Sequence, residues 1–218
     1  MIHVALAAKP SDFDSKVRLP GLSALAELVG EPPLNKRPGP KRTPIAKRRE
    51  EIPAKELPDF WTLALHDLMS AYHEVCAYCC IRIERTTGAA SVDHMVAKSR
   101  QWDRVYEWDN YRLASSRMNS RKNIHEVLDP FDIENGWFHL ELFGYQVIPN
   151  PSLRDPLRQQ VIDTIVRLGL NDPGLRKARE RYAKRYLEVG DSFKSLMEDC
   201  PFVAMELRRH GRLLAGDR

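Results

Sequence analysis

The sequence predicts an α+β protein, with a small mixed core in mid-chain, an N-terminal extension before it and a helical region after it. Three observations carry this. Apolar residues recur at helical spacing through Phe60, Trp61, Leu65, Leu68, Met69 and Tyr72. Short strand-like segments follow, at Ala90 to His94 and from Trp137 to Ile148, where the alternation suits a strand or a hairpin. From residue 151 to residue 218 the pattern is helical again, with Leu157, Val161, Ile165 and Leu168 on one stripe.

Residues 1–57 are read as an N-terminal segment. An apolar stretch from Val4 to Ala8 precedes an amphipathic run from Leu22 to Val29, and Gly30 suits a helix C-cap. Residues 31–57 hold six of the fifteen prolines, interleaved with Lys36, Arg37, Lys41, Arg42, Lys47, Arg48 and Arg49. Proline at this density prevents a continuous helix or central strand, so an extended basic arm or linker is expected. Residues 58–150 form the core stretch. Its first helix is followed by Cys76-Ala77-Tyr78-Cys79-Cys80, a turn at Thr87-Gly88, and a helical run expected from Asn119 through Glu126. In residues 151–218, Asn171-Asp172-Pro173-Gly174 is expected to stop the first helix. A charged helix then follows, and a last one runs from about Phe202 to Leu214.

The chain has 218 residues, 43% of them hydrophobic and 29% charged, with a net charge of +4. That is ordinary for a globular domain, and so small an excess does not by itself indicate nucleic acid. No apolar run approaches the roughly 18 residues of a membrane span. The opening segment lacks the basic and apolar regions of a secretory signal. Four cysteines, three of them crowded at Cys76, Cys79 and Cys80, do not make a secreted disulfide framework. A cytoplasmic protein with no membrane insertion of its own is expected.

The chemistry concentrates in Ser91-Val92-Asp93-His94 and in the run from Trp108-Asp109-Asn110-Tyr111-Arg112 to Met118-Asn119-Ser120-Arg121-Lys122. Phosphodiester hydrolysis needs a base to activate water and a cation to stabilise the leaving oxygen. A hard ion such as Mg²⁺ prefers oxygen ligands and keeps several waters. Asp93 and Asn119 offer a carboxylate and an amide oxygen, and His94 offers an imidazole that titrates near neutrality.

The order and spacing of Asp93-His94, Asn110, Asn119 and Lys122 resemble the HNH (ββα-metal) endonucleases. The resemblance covers about residues 76–123 and implies a ββα-metal HNH core, a hydrolase that nicks or cleaves DNA. It makes His94 the general base, Asp93 and Asn119 ligands of Mg²⁺ or Mn²⁺, and Asn110 the brace for the base. Lys122 would stand near the phosphate, one turn beyond Asn119, and Lys98 matches a common basic position. Arg112, Arg117 and Arg121 bracket this set and are expected to contact DNA phosphates.

The pattern departs from the family in its zinc half. Many members hold a structural zinc with two Cys-x-x-Cys pairs. Cys76 and Cys79 supply the first, but Ser115 and Met118 stand where the second belongs. Neither is a ligand of structural zinc, so that site is expected to be lost and the cysteines to be small core residues.

The basic arm has two readings, a nucleic-acid wrap and a solvated linker. The run from Arg176 to Arg185, interrupted by Glu180, reads as a solvent face, and Trp102 and Trp108 read as core. Short segments outside the core resemble stand-alone bacterial HNH proteins, with a layout similar to the effector of type II Zorya anti-phage defence and, second, to the Septu HNH subunit. Those would imply a membrane motor complex or an ATPase as partner. A restriction or mobile-element nuclease, and a non-catalytic nucleic-acid-binding or assembly module, stand as alternatives.

Overall fold

A computed structural model describes residues 1–35 and 38–217, so Lys36 and Arg37 of the expected arm lie outside the described residues. The chain divides into two compact units that interleave along the sequence.

One unit joins Leu6–Ala71 to Ser91–Leu113. Within it a π-helical turn, Asp14–Arg18, runs directly into helix α1, Leu19–Leu28. The sequence predicts an amphipathic helix here, yet Gly21 and all of residues 23–28 are buried. The arm supplies the cover. The Asn35 N–H donates to the Ser23 hydroxyl, Arg42 meets the buried Glu27 carboxylate at 2.9 Å, and the Ile45 and Ala46 amides bond the Leu28 carbonyl. Arg48 pairs with Glu51 and Arg49 with Glu31, while Arg42 and Arg49 also lie over the rings of Phe60 and Trp102. The segment expected to be an extended arm is thus folded back over its own acids and aromatics. At Gly21 a Cβ would come within 2.4 Å of the Tyr106 ring, so only glycine fits.

The helix expected near Phe60 opens as a 3₁₀ turn, Phe60–Ala64, and becomes α2, Leu65–Ala71. Strands β1, Ala90–His94, and β2, Tyr111–Ser115, pair in a two-stranded sheet. Residues 91–94 and 111–113 of that sheet belong to this unit.

The other unit comprises Met1–Ala5, Tyr72–Ala90 and Ala114–Arg218. Helix α3, Ser116–Lys122, starts three residues before Asn119 because the Ser115 hydroxyl accepts the Met118 N–H and caps it. It ends before Glu126 because Asn123 turns to φ +45°. The alternating segment is a hairpin of β3, Phe138–Leu140, and β4, Val147–Pro149, antiparallel with His139 opposite Ile148. Helix α4, Leu157–Leu168, stops at Gly169 with φ +58°. The Asn171-to-Gly174 segment is therefore a start and not a stop. Asp172 accepts the Gly174 N–H, and Pro173 takes the first position of α5, Pro173–Lys184. A π-helical turn, Arg185–Val189, extends α5, and α6, Phe193–Asp199, and α7, Pro201–Arg209, follow. Val161, Leu168, Ala183, Tyr186, Phe202, Val203 and Leu207 are buried in this unit. Among the described residues no helix is long and apolar enough to cross a membrane.

Candidate active site

Asp93 and His94 end β1 and are 2% and 7% exposed. A carboxylate so far from water is stable only when hydrogen-bonded, paired with a cation or bound to a metal. The His94 ring is held on three sides. Its Nε2 lies 2.9 Å from the Val105 carbonyl, Trp61 meets it edge to face at 5.0 Å, and Tyr111 does so at 5.2 Å. A carbonyl oxygen only accepts, so Nε2 carries the hydrogen and the neutral ring bears its lone pair on Nδ1. The Tyr111 hydroxyl donates to the same Val105 oxygen at 2.8 Å. Burial holds the Tyr111 hydroxyl well above the usual phenol range, so it stays a donor.

Asn110 is 2% exposed and uses its amide to fasten the backbone around His94. Its Oδ1 accepts the Val96 N–H at 2.8 Å, and its Nδ2 donates to the carbonyls of Arg104 and Val96 at 2.9 and 3.2 Å. Its own carbonyl accepts the Met95 N–H. The side chain thus links the residues just past His94 to the turn that presents the Val105 carbonyl.

Lys98 stands on the other face of this arrangement, with Nζ 3.9 Å from the centroid of Trp61. Burial lowers its pKa, opposed by the nearby Asp59 carboxylate. Trp61 therefore touches both a cation and the histidine ring, and packs on Tyr106 at 6.2 Å. Its sequence signal was only that of a core residue on a helical stripe. The Val105 carbonyl is a backbone group and leaves no mark in sequence at all.

The arginines behave otherwise than expected. Arg112 is 3% exposed and donates to the Asp109 and Tyr111 carbonyls, so it ties down backbone and is closed to a phosphate from solvent. In the other unit, Arg117 and Arg121 both reach Asp172, at 2.9 and 2.7 Å, and Arg121 adds the Gly169 carbonyl at 3.0 Å. Lys122, expected one turn beyond Asn119 and near the phosphate, is fully buried. Asn119 is half-buried on α3. No family model and no curated protein matches the chain.

The Cys76–Cys79 segment belongs to the same unit as α3. All four cysteines are buried and free. Ser115, where a second zinc pair would begin, directs its amide at the Cys76 sulfur from 3.4 Å. Met118, the other position, is buried. Burial opposes ionisation of Cys76, but hydrogen bonds from the Cys79 thiol and from nearby backbone amides, that of Ser115 included, bring its pKa down to about 7. Among the described residues no group of three or more His, Cys, Asp or Glu is placed to hold a metal ion.

Proposed function

We propose that the chain is an HNH-type endonuclease that hydrolyses DNA phosphodiester bonds, with His94 as general base. The observation that carries the reading is the bond from His94 Nε2–H to the Val105 carbonyl, which in the neutral ring makes Nδ1 the basic nitrogen. Two aromatic edges and the Asn110 brace hold the ring in place, so little reorganisation accompanies proton transfer. The resemblance in sequence supplies the rest of the assignment, with Asp93 and Asn119 as the ligands of the ion. A carboxylate and an amide are hard oxygen donors, the set that suits Mg²⁺ or Mn²⁺ and not zinc. A divalent ion bound there supplies stabilisation of charge on the leaving oxygen.

In the reaction, water adds at phosphorus as the bond to the 3′ oxygen breaks, leaving a 5′-phosphate and a 3′ alkoxide that takes a proton from solvent to become the 3′-hydroxyl. The water's proton passes to His94 Nδ1. As the ring becomes imidazolium, its Nε2–H bond to Val105 turns charge-assisted and strengthens. Lys98 is held over Trp61, the ring that also walls His94. One such centre cuts one strand, so nicking is the elementary activity. The reading places the enzyme in the cytoplasm, in bacterial anti-phage defence, with a motor complex or ATPase of the same operon as the partner that controls it.

The test is supercoiled plasmid with purified protein in Mg²⁺ or Mn²⁺. The wild type is expected to nick it, and His94→Ala to be slower by about 10²–10⁴-fold, the usual contribution of a general base, with DNA binding kept. Intact plasmid with the wild type, or equal rates for the two proteins, would overturn the reading.

A further inference from the structure

One basic surface left open among the described residues lies outside the motif. It is the outer face of α5 and its π-helical continuation. A groove of about 500 Å³ runs there between Gly174 and Val189 and is lined by Lys177, Arg181, Lys184 and Arg185, with Glu180 as its acid. Four cations face the single acid Glu180, which pairs with Lys184 at 2.8 Å, while Arg185 pairs with Asp191 outside the lining at 2.6 Å, so the lining keeps a positive excess. At the Gly174 end, the single carboxylate of Asp172 faces two guanidiniums, and the more exposed of them, Arg117, adds to that excess.

Beside the groove stands the tip of the β3–β4 hairpin. Phe143 is 99% exposed there, yet the tip is firmly held. The Glu141 carboxylate accepts the Phe143 and Gly144 amides, and Arg176 of α5 donates to the Gly144 carbonyl at 2.7 Å. Tyr145, the next residue, lies within electrostatic reach of Glu180 and Lys184 in the groove wall. A large apolar ring held out in water on a braced turn has no role in packing its own chain.

We infer that this groove is the seat of a DNA backbone, its phosphates on Lys177, Arg181 and Lys184 and an unstacked base or sugar on Phe143. The inference rests on the nuclease reading for its choice of DNA. Residues 174–189 span roughly 22 Å at helical rise, over which one strand of a duplex presents about six phosphates. Asp172 caps α5 and accepts hydrogen bonds from Arg117 and Arg121 of α3.

The experiment measures binding of fluorescent duplex and single-stranded oligonucleotides by anisotropy, in EDTA and over a range of salt. It compares the wild type with a triple variant (Lys177→Gln, Arg181→Gln, Lys184→Gln), with Phe143→Ala, and with a control triple (Arg154→Gln, Arg158→Gln, Lys194→Gln) that removes the same charge elsewhere in the unit. All the substituted side chains are exposed, and circular dichroism verifies the fold of each protein. The groove triple is expected to bind about ten- to a hundredfold more weakly, with the salt slope reduced by about 2 to 3 for three lost phosphate contacts. The control should bind within about twofold of wild type. Phe143→Ala should weaken single-stranded binding several-fold more than duplex binding.

Equal losses in the two triples, or a wild type that binds no DNA, would overturn the inference. Nicking assays in Mg²⁺ separate it from the reading beneath it. Groove-dependent binding without nicking sinks the nuclease and leaves the groove, whereas nicking with groove-independent binding does the reverse.

Discussion

The segment 91–113 and helix α3 draw polar residues from one continuous run of sequence and use them in opposite ways. In the first, Asn110 and the Val105 carbonyl are buried or backbone groups whose hydrogen bonds converge on the surroundings of His94. In the second, Arg117 and Arg121 share the Asp172 carboxylate, and Lys122 is buried outright. A seven-residue helix lies well below the length at which helix formation sustains itself, so α3 needs tertiary anchors, and its cations serve as those anchors. Charged residues beside a catalytic motif are therefore as ready to be scaffold as chemistry.

Substitutions can sharpen this contrast by asking whether rate or stability responds. The largest effect is expected from Asn110→Ala, which should change both. It strands the buried Val96 amide and frees the turn that positions Val105, costing about 2–3 kcal/mol. That corresponds to a fall in melting temperature of roughly 5–10 °C for a chain of this size. Nicking should fall at least tenfold under conditions where the variant is still folded. A thermal scan paired with a plasmid assay would reveal a purely structural Asn110 if folded variant nicked at the wild-type rate.

Trp61→Leu comes next. Loss of the edge-to-face contact with His94 and of the face under Lys98 is worth about 1–2 kcal/mol. Nicking should slow several-fold, because the histidine ring loses one of its walls. Trp61→Phe, which keeps an aromatic edge, should recover most of the rate. A nicking rate unaltered in Trp61→Leu would reduce Trp61 to packing.

The smallest effect belongs to Asp172→Asn, and it should touch stability alone. Arg121 above all, then the Gly174 amide and Arg117, hold the Asp172 carboxyl below its ordinary range. A depressed folded-state pKa means the stabilisation is complete above the unfolded value, about pH 4. It is lost as pH falls through the lower folded value. The variant should melt a few degrees lower at pH 7, and the gap should close in acid. Plasmid nicking at the wild-type rate would separate this clamp from the chemistry. A gap that persisted at pH 2 would assign its effect to something other than the carboxylate charge.

What could be read in advance follows the same division. Asp93, His94 and Asn110 stand out in sequence because unusual residue types recur at fixed spacing, and the structure puts His94 and the Asn110 brace into one neighbourhood. The direction in which a long side chain points is not written at its own position. Arg112 meets carbonyls within three residues of itself, and Arg121 meets a carboxylate fifty-one residues away. Trp61 was legible as core, but its contact with a histidine thirty-three positions later depends on tertiary packing. Helix ends failed for local reasons. Ser115 and Asp172 are caps; Asp172 reads as part of a stop because a capping side chain and a turn former are the same residue types, and Ser115 reads only as a position without a zinc ligand.

Gly21 has no chemistry of its own and lies far along the chain from the motif. A single methyl there would drive into the Tyr106 ring, which stacks on Trp61, which in turn borders His94. In a library of random variants, position 21 should therefore score as intolerant as a catalytic residue. Tolerance maps of this protein will trace the mechanical support of the histidine as well as the groups that react, and the two will be distinguishable only by what a rescuing second substitution at Tyr106 restores.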